Sequence, residues 1–81
     1  MNPKNKKVIV YGTTSCPYCV MAKNFFKEND VNFEDVNVGL DRARAEEMVR
    51  KSGQMGVPVI DIEGQIVVGF QPNVFEQLLS Q

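Results

Sequence analysis

A small α/β domain built on a mixed sheet is what this sequence predicts, and three observations carry the reading. β-Branched runs and amphipathic stretches follow one another in the order β-α-β-α-β-β-α. Strands linked through a helix imply a parallel pair, and a two-residue turn between the last two strands implies an antiparallel one. The result is a four-stranded mixed sheet flanked by helices. Residues 1–81 read as a single domain without repeat, linker or low-complexity segment.

The first strand lies in KKVIVYG, a β-branched run closed by Gly12. The lysines before it, Lys4, Lys6 and Lys7, read as a solvated terminus. Pro17 then opens a helix, because proline at the first helical position loses an N–H that is not needed there. Tyr18, Met21, Ala22, Phe25 and Phe26 recur at i, i+3, i+4, i+7 and i+8. That is one apolar helical face, expected in the core at every position but Tyr18. Asn29 and Asp30 punctuate its end. VNFEDVNV, with Val31, Phe33, Val36 and Val38, reads as the second strand.

Asp41 is placed to cap a second helix running to about Lys51, and Gly53 to end it. Glu46 precedes Arg50, and Glu47 precedes Lys51, by four residues in the favourable order. Leu40, Ala43, Met48 and Val49 form its expected apolar face. VPVIDI and QIVVGF flank Glu63-Gly64, a hairpin signal. Pro72 opens a closing helix expected to bury Val74, Phe75, Leu78 and Leu79.

Composition removes several functions. Nine Lys and Arg against ten Asp and Glu leave a net charge of −1, with no electrostatic basis for nucleic acid or an anionic membrane as partner. The apolar run VIVY is too short for a signal peptide and no stretch could span a bilayer, so a cytoplasmic protein is expected. A monomer is the expected state.

The chain has two cysteines, both in TTSCPYC, and no histidine. A Cys16–Cys19 bridge closes too short a loop to restrain the unfolded chain much, so a stabilising staple is a poor explanation. A zinc site needs four ligands and only two are at hand, so no metal site is expected. Half of a site shared between two chains, or two buried structural cysteines, remain competing readings, and redox chemistry is the one the spacing favours. Cys16 falls at the N-cap of the helix opened by Pro17, and Cys19 inside the first turn. Unpaired N–H groups and the positive end of the helix dipole there favour a thiolate. Cysteines so placed have pKa values of roughly 3.5–7.5, against about 8.5 for a free thiol. Cys19 lies one turn on, within reach of the Cys16 sulfur. The pair reads as a dithiol switch.

CPYC after a first strand, Val57-Pro58 before a hairpin, and Gly69 before the last helix together resemble glutaredoxins, over roughly residues 6–80. The resemblance implies a thioredoxin-like fold and a dithiol–disulfide oxidoreductase. Cys16 would attack disulfides of proteins or of glutathione mixed disulfides, and Cys19 would resolve the intermediate. It implies that Pro58 is cis, leaving the Val57 backbone free to pair with an extended substrate. It also puts substrate-binding residues at Thr14, Pro17, Tyr18, Val57, Pro58, Gly69 and Phe70. No tightly bound cofactor is implied; glutathione is the expected co-substrate.

Some positions depart from the family pattern. Glutathione-using members often carry a basic residue before the motif, a threonine before Val-Pro, and Gly-Gly followed by Asp near the last helix. Here the stretches read Thr13-Thr14-Ser15, Gly56 and GFQPN, with Gln54 and Gln71 as neutral hydrogen-bonding groups. Lys23, Arg42 or Arg44 is the alternative source of the missing cation. GF-x-P is similar to NrdH-type redoxins, electron donors recharged by thioredoxin reductase, although Val67 and Val68 stand where those carry tryptophan and serine. Glutathione and thioredoxin reductase are therefore both expected as electron sources. An iron–sulfur carrier is a further alternative that Pro17-Tyr18 disfavours, because the proline rigidifies the helix start and the tyrosine crowds the space a cluster needs.

Overall fold

The chain is described here from a computed structural model covering residues 6–81, so Lys4 of the lysine cluster lies outside the described residues. Seven elements follow in order: β1 (Val8–Gly12), α1 (Pro17–Glu28), β2 (Glu34–Asn37), α2 (Arg42–Ser52), β3 (Val59–Ile62), β4 (Gln65–Val68) and α3 (Pro72–Leu79). The sheet order is β2-β1-β3-β4. β1 runs parallel to β2 and antiparallel to β3, and β3 runs antiparallel to β4. This is the mixed sheet that the element order implies.

β1 is buried at every position because both of its faces are covered. Val8 and Val10 pack with Ala22 and Phe26 of α1, Ile60 and Ile62 of β3, and Phe75 and Leu79 of α3. Ile9 and Tyr11 point the other way, to Val36, Val59 and Met48 of α2. Helices α1 and α3 thus cover one face of the sheet, and α2 the other.

Local chemistry sets most boundaries. The Asp41 carboxylate accepts the Arg44 N–H at 3.2 Å and caps α2, which ends at Gly53 in the left-handed conformation, φ 72°. Glu63 and Gly64 have φ of 52° and 86°, the positive pair a tight hairpin turn needs. The Asp61 carboxylate braces the turn by accepting the Gly64 N–H at 2.7 Å.

Three expectations need correction. The ladder of β2 covers only Glu34–Asn37; Val31 and Phe33 pack into the α1/α3 core without strand pairing. Their hydrophobicity reports burial and not backbone pairing. On α1, Met21 is 44% exposed, and the inward line is Cys19, Ala22 and Phe26. On α2, Met48 alone of the expected apolar face is buried, while Leu40 is 86% exposed. The sheet-facing side of α2 carries charge instead. Buried Tyr11 donates its hydroxyl to Glu47, and Lys51 donates to the Tyr11 oxygen at 2.7 Å and to the largely buried Asp61 at 2.8 Å. Counting apolar residues misses a face whose polar groups find partners on the sheet.

Candidate active site

The two cysteines sit where β1 hands over to α1. Cys16 is the N-cap of α1 in an extended conformation (φ −102°, ψ 108°), and its Sγ accepts the Cys19 N–H at 3.1 Å. Pro17 follows at the start of the helix, as its missing N–H requires. Cys16 is half-buried and Cys19 fully buried. The two form a disulfide, with Cα atoms 5.2 Å apart.

Register aligns the rest of this end of the sheet. Gly12 pairs with Asn37 of β2, and Tyr11 with Val59 of β3, so Pro58 follows one step further along the same edge. Val59 in turn pairs with Val68. The Gly69 N–H extends that ladder to the Pro58 carbonyl at 2.8 Å. Asn37, Gly12, Pro58 and Gly69 thus stand in one row across the sheet end from which the cysteine loop springs. The Val57–Pro58 peptide is cis, Pro58 is buried, and Val57 is half-buried. Among the described residues, the Val57 backbone N–H and C=O take no hydrogen-bond partner.

Thr14 and Pro17 are exposed, and Tyr18 is 61% exposed on the first turn of α1. Gly69 holds φ 90°, a conformation that favours glycine. Phe70 directs its ring inward, edge-on to Phe75 with centroids 6.0 Å apart. At the start of α3, Gln71 makes no side-chain cap and donates its amide to the Val68 carbonyl at 2.7 Å. The first-turn amides of α3 therefore have no side-chain acceptor at this end.

The cations considered as substitutes for the missing basic residue are already paired. Lys23 meets Asp35 at 3.3 Å, Arg42 meets Glu46 at 3.8 Å, and Arg44 meets Glu34 at 2.8 Å and Glu47 at 3.2 Å. Arg44 holds the Glu34 carboxyl below its usual range, and the Tyr11 hydroxyl does the same for Glu47. Burial and the Glu47 hydrogen bond push the Tyr11 hydroxyl up, and the Lys51 ammonium is held charged by Asp61 and Tyr11.

Gly12 belongs to the site although the motif reading treated it only as a strand end. A Cβ on Gly12 would stand 2.8 Å from the Cys19 Sγ and 3.0 Å from its Cβ. The available signal was a glycine closing an otherwise β-branched buried strand, which marks a close approach. No cluster of three or more His, Cys, Asp or Glu able to hold a metal occurs among the described residues. No helix among them is long and apolar enough to cross a membrane.

This fold and site have relatives. The family model for glutaredoxin matches residues 8–67. A glutaredoxin-like 8.6 kDa protein in the rubredoxin operon of Clostridium pasteurianum is 42% identical over 72 residues, covering 89% of this chain and 96% of the relative. The glutaredoxin grx-1 of Archaeoglobus fulgidus superposes with a TM-score of 0.84 at 26% identity, over 91% of this chain and 86% of that one. The glutaredoxin-like NrdH-redoxin of Escherichia coli superposes with a TM-score of 0.79 at 25% identity, over 89% and 93% of the two chains. The four-stranded mixed sheet with its three helices is a thioredoxin-like fold. With more than half of its length matched by the family model and a cysteine pair at the N-terminus of α1, the chain belongs to the glutaredoxin family of thiol–disulfide oxidoreductases.

Proposed function

We propose that the protein reduces disulfides of proteins, or mixed disulfides with glutathione, through a two-step cycle on Cys16 and Cys19. The Cys16 thiolate attacks one sulfur of the substrate disulfide, and the other sulfur leaves as a thiolate that takes up a proton. Cys19 then loses its proton and attacks the Cys16 sulfur; the bond to substrate breaks, and the reduced substrate departs. The chain is left with the Cys16–Cys19 disulfide. The observation that carries this division is the N-cap itself: the Cys16 sulfur accepts the Cys19 amide at 3.1 Å and Cys19 is fully buried behind it. Amide and helix dipole favour a charged sulfur at the exposed end of the pair. An extended substrate would lie along the Val57 backbone beside the buried Pro58, with Thr14, Pro17, Tyr18, Gly69 and Phe70 around it.

For the reductant, recharging by thioredoxin reductase is favoured over glutathione. Thr13-Thr14-Ser15 and Gly56 offer no cation to glutathione's two carboxylates, Asn73 offers no anion to its ammonium, and Lys23, Arg42 and Arg44 are each engaged by an acidic neighbour. The similar NrdH-redoxin of Escherichia coli is described as having a thioredoxin-like activity profile. Supplying the oxidised protein with NADPH and either thioredoxin reductase, or glutathione and its reductase, separates the two. Faster NADPH consumption with thioredoxin reductase is expected; faster consumption with glutathione reverses the assignment. No turnover of any disulfide with either system removes the oxidoreductase reading altogether.

A further inference from the structure

The cycle leaves one physical problem at Cys19. Its sulfur must carry charge when it attacks Cys16, and again when an incoming thiolate at Cys16 expels it, yet the residue is wholly buried. A buried thiolate without a countercharge is disfavoured. Lys23 is four residues further along α1, on the same side of the helix, where Cβ atoms stand about 5–6 Å apart. Its ammonium is drawn toward the sheet by Asp35 at 3.3 Å, leaving its side chain 24% exposed. Asp35 pairs with Val10, and Asn37 with Gly12, so Asp35 lies on the α1 side of β2, next to the strand whose Gly12 meets Cys19. Between these elements is a cavity of 140 Å³ lined by Gly12, Thr13, Thr14, Lys23, Asp35 and Asn37. At about 30 Å³ each, waters fit there.

We infer that Lys23 is a positioning residue for the resolving step: held by Asp35, it stabilises the Cys19 thiolate. The inference rests on the proposed roles of the two cysteines. As Cys19 attacks, its sulfur electron pair forms the bond to Cys16, the substrate sulfur leaves with the pair of the broken bond, and the proton Cys19 gives up is balanced by the one the departing substrate thiolate takes up. The charged and titratable groups around Cys19 are few. On α1 they are Cys16 and Lys23, with Tyr18 turned out to solvent beside Cys19 and exposed Lys27 a further turn away; on β2 there is Asp35. β1 and β3 turn Val10, Gly12 and Ile60 to this side, none of which titrates.

Stopped-flow reaction of the reduced protein with the chromogenic disulfide dithiobis-nitrobenzoate reads the two steps separately. Cys16 attack releases one thionitrobenzoate, and Cys19 attack then releases the second. In Lys23→Gln the pH midpoint of the second phase should rise by about one unit. Its rate near neutral pH should fall only about threefold, because a tenfold loss of thiolate is partly offset by higher nucleophilicity at a Brønsted slope of about 0.4–0.5. The first phase should be unchanged, and Lys23→Arg should restore the second. An unshifted second-phase midpoint in Lys23→Gln, or equal slowing of both phases, overturns the inference. A second equivalent still released by Cys19→Ser would instead overturn the cysteine roles beneath it.

Discussion

Adding one methyl group at Gly12 should cost stability in a redox-dependent way. In Gly12→Ala the new Cβ would stand 2.8 Å from the Cys19 Sγ and 3.0 Å from the Cys19 Cβ. Ordinary contact between such atoms is about 3.5–4.0 Å, so something must move by nearly an ångström. Gly12 is fixed by the Val38 N–H, which donates to its carbonyl at 2.9 Å, and Cys19 is on a helix packed into the core. Overpacking of this kind costs about 1–3 kcal/mol. In a small domain each of those kilocalories lowers the melting temperature by about 4–8 °C. When the Cys16–Cys19 bond is broken, Cys19 is free to turn its sulfur to another rotamer, which relieves part of the clash. The oxidised form should therefore lose more stability than the reduced form, and the variant should become easier to reduce. If the whole cost fell on the oxidised form, the reduction potential would become less negative by about 20–60 mV, at 1.4 kcal/mol per 30 mV. Thermal unfolding of both redox states, with a redox titration against a dithiol buffer, measures each quantity. Equal melting temperatures for wild type and Gly12→Ala in both states would refute the reasoning, and an equal drop in both would refute the rotamer part alone.

Other perturbations follow from the same geometry. Cys16→Ser should abolish disulfide reduction, whereas Cys19→Ser should keep one-cysteine chemistry on small mixed disulfides and lose intramolecular release; alkylation at mildly acidic pH should label Cys16 first, and prior labelling of Cys19 would reverse the roles. The Glu47 carboxyl lies below its usual 4.5 because Tyr11 donates to it, so its stabilisation is fully present above that value and is lost as pH falls through the lower folded one. Glu47→Gln should accordingly flatten the acid loss of the urea midpoint, and an unchanged acid slope would count against it. Thr14→Lys or Asn73→Asp should lower KM for glutathionylated substrates, by about tenfold for each 1.4 kcal/mol of charged contact restored. Activity toward a neutral disulfide should stay constant, and an unchanged KM in both variants would show that the missing charges are not what limits glutathione.

What the sequence by itself determined is whatever depends on residues within a turn or two of one another. Cys16 at the N-cap, Pro17 behind it, Asp41 and Gly53 bounding α2, and the Glu63-Gly64 turn are all set by local sterics and by amides that need an acceptor. The element order, and with it the mixed sheet, follows from those signals. Only the tertiary structure decided which chemistry each face meets. Charged Arg44, Glu47 and Lys51 line the inner side of α2 because Tyr11, Glu34 and Asp61 wait on the sheet as partners. Gly12 approaches Cys19, and Lys23 reaches Asp35 across two elements, through a register that no local pattern encodes. Long-range pairing is settled by the fit of whole surfaces, with burial and hydrogen-bond satisfaction resolved together, and a linear pattern of apolar residues records only the first of these.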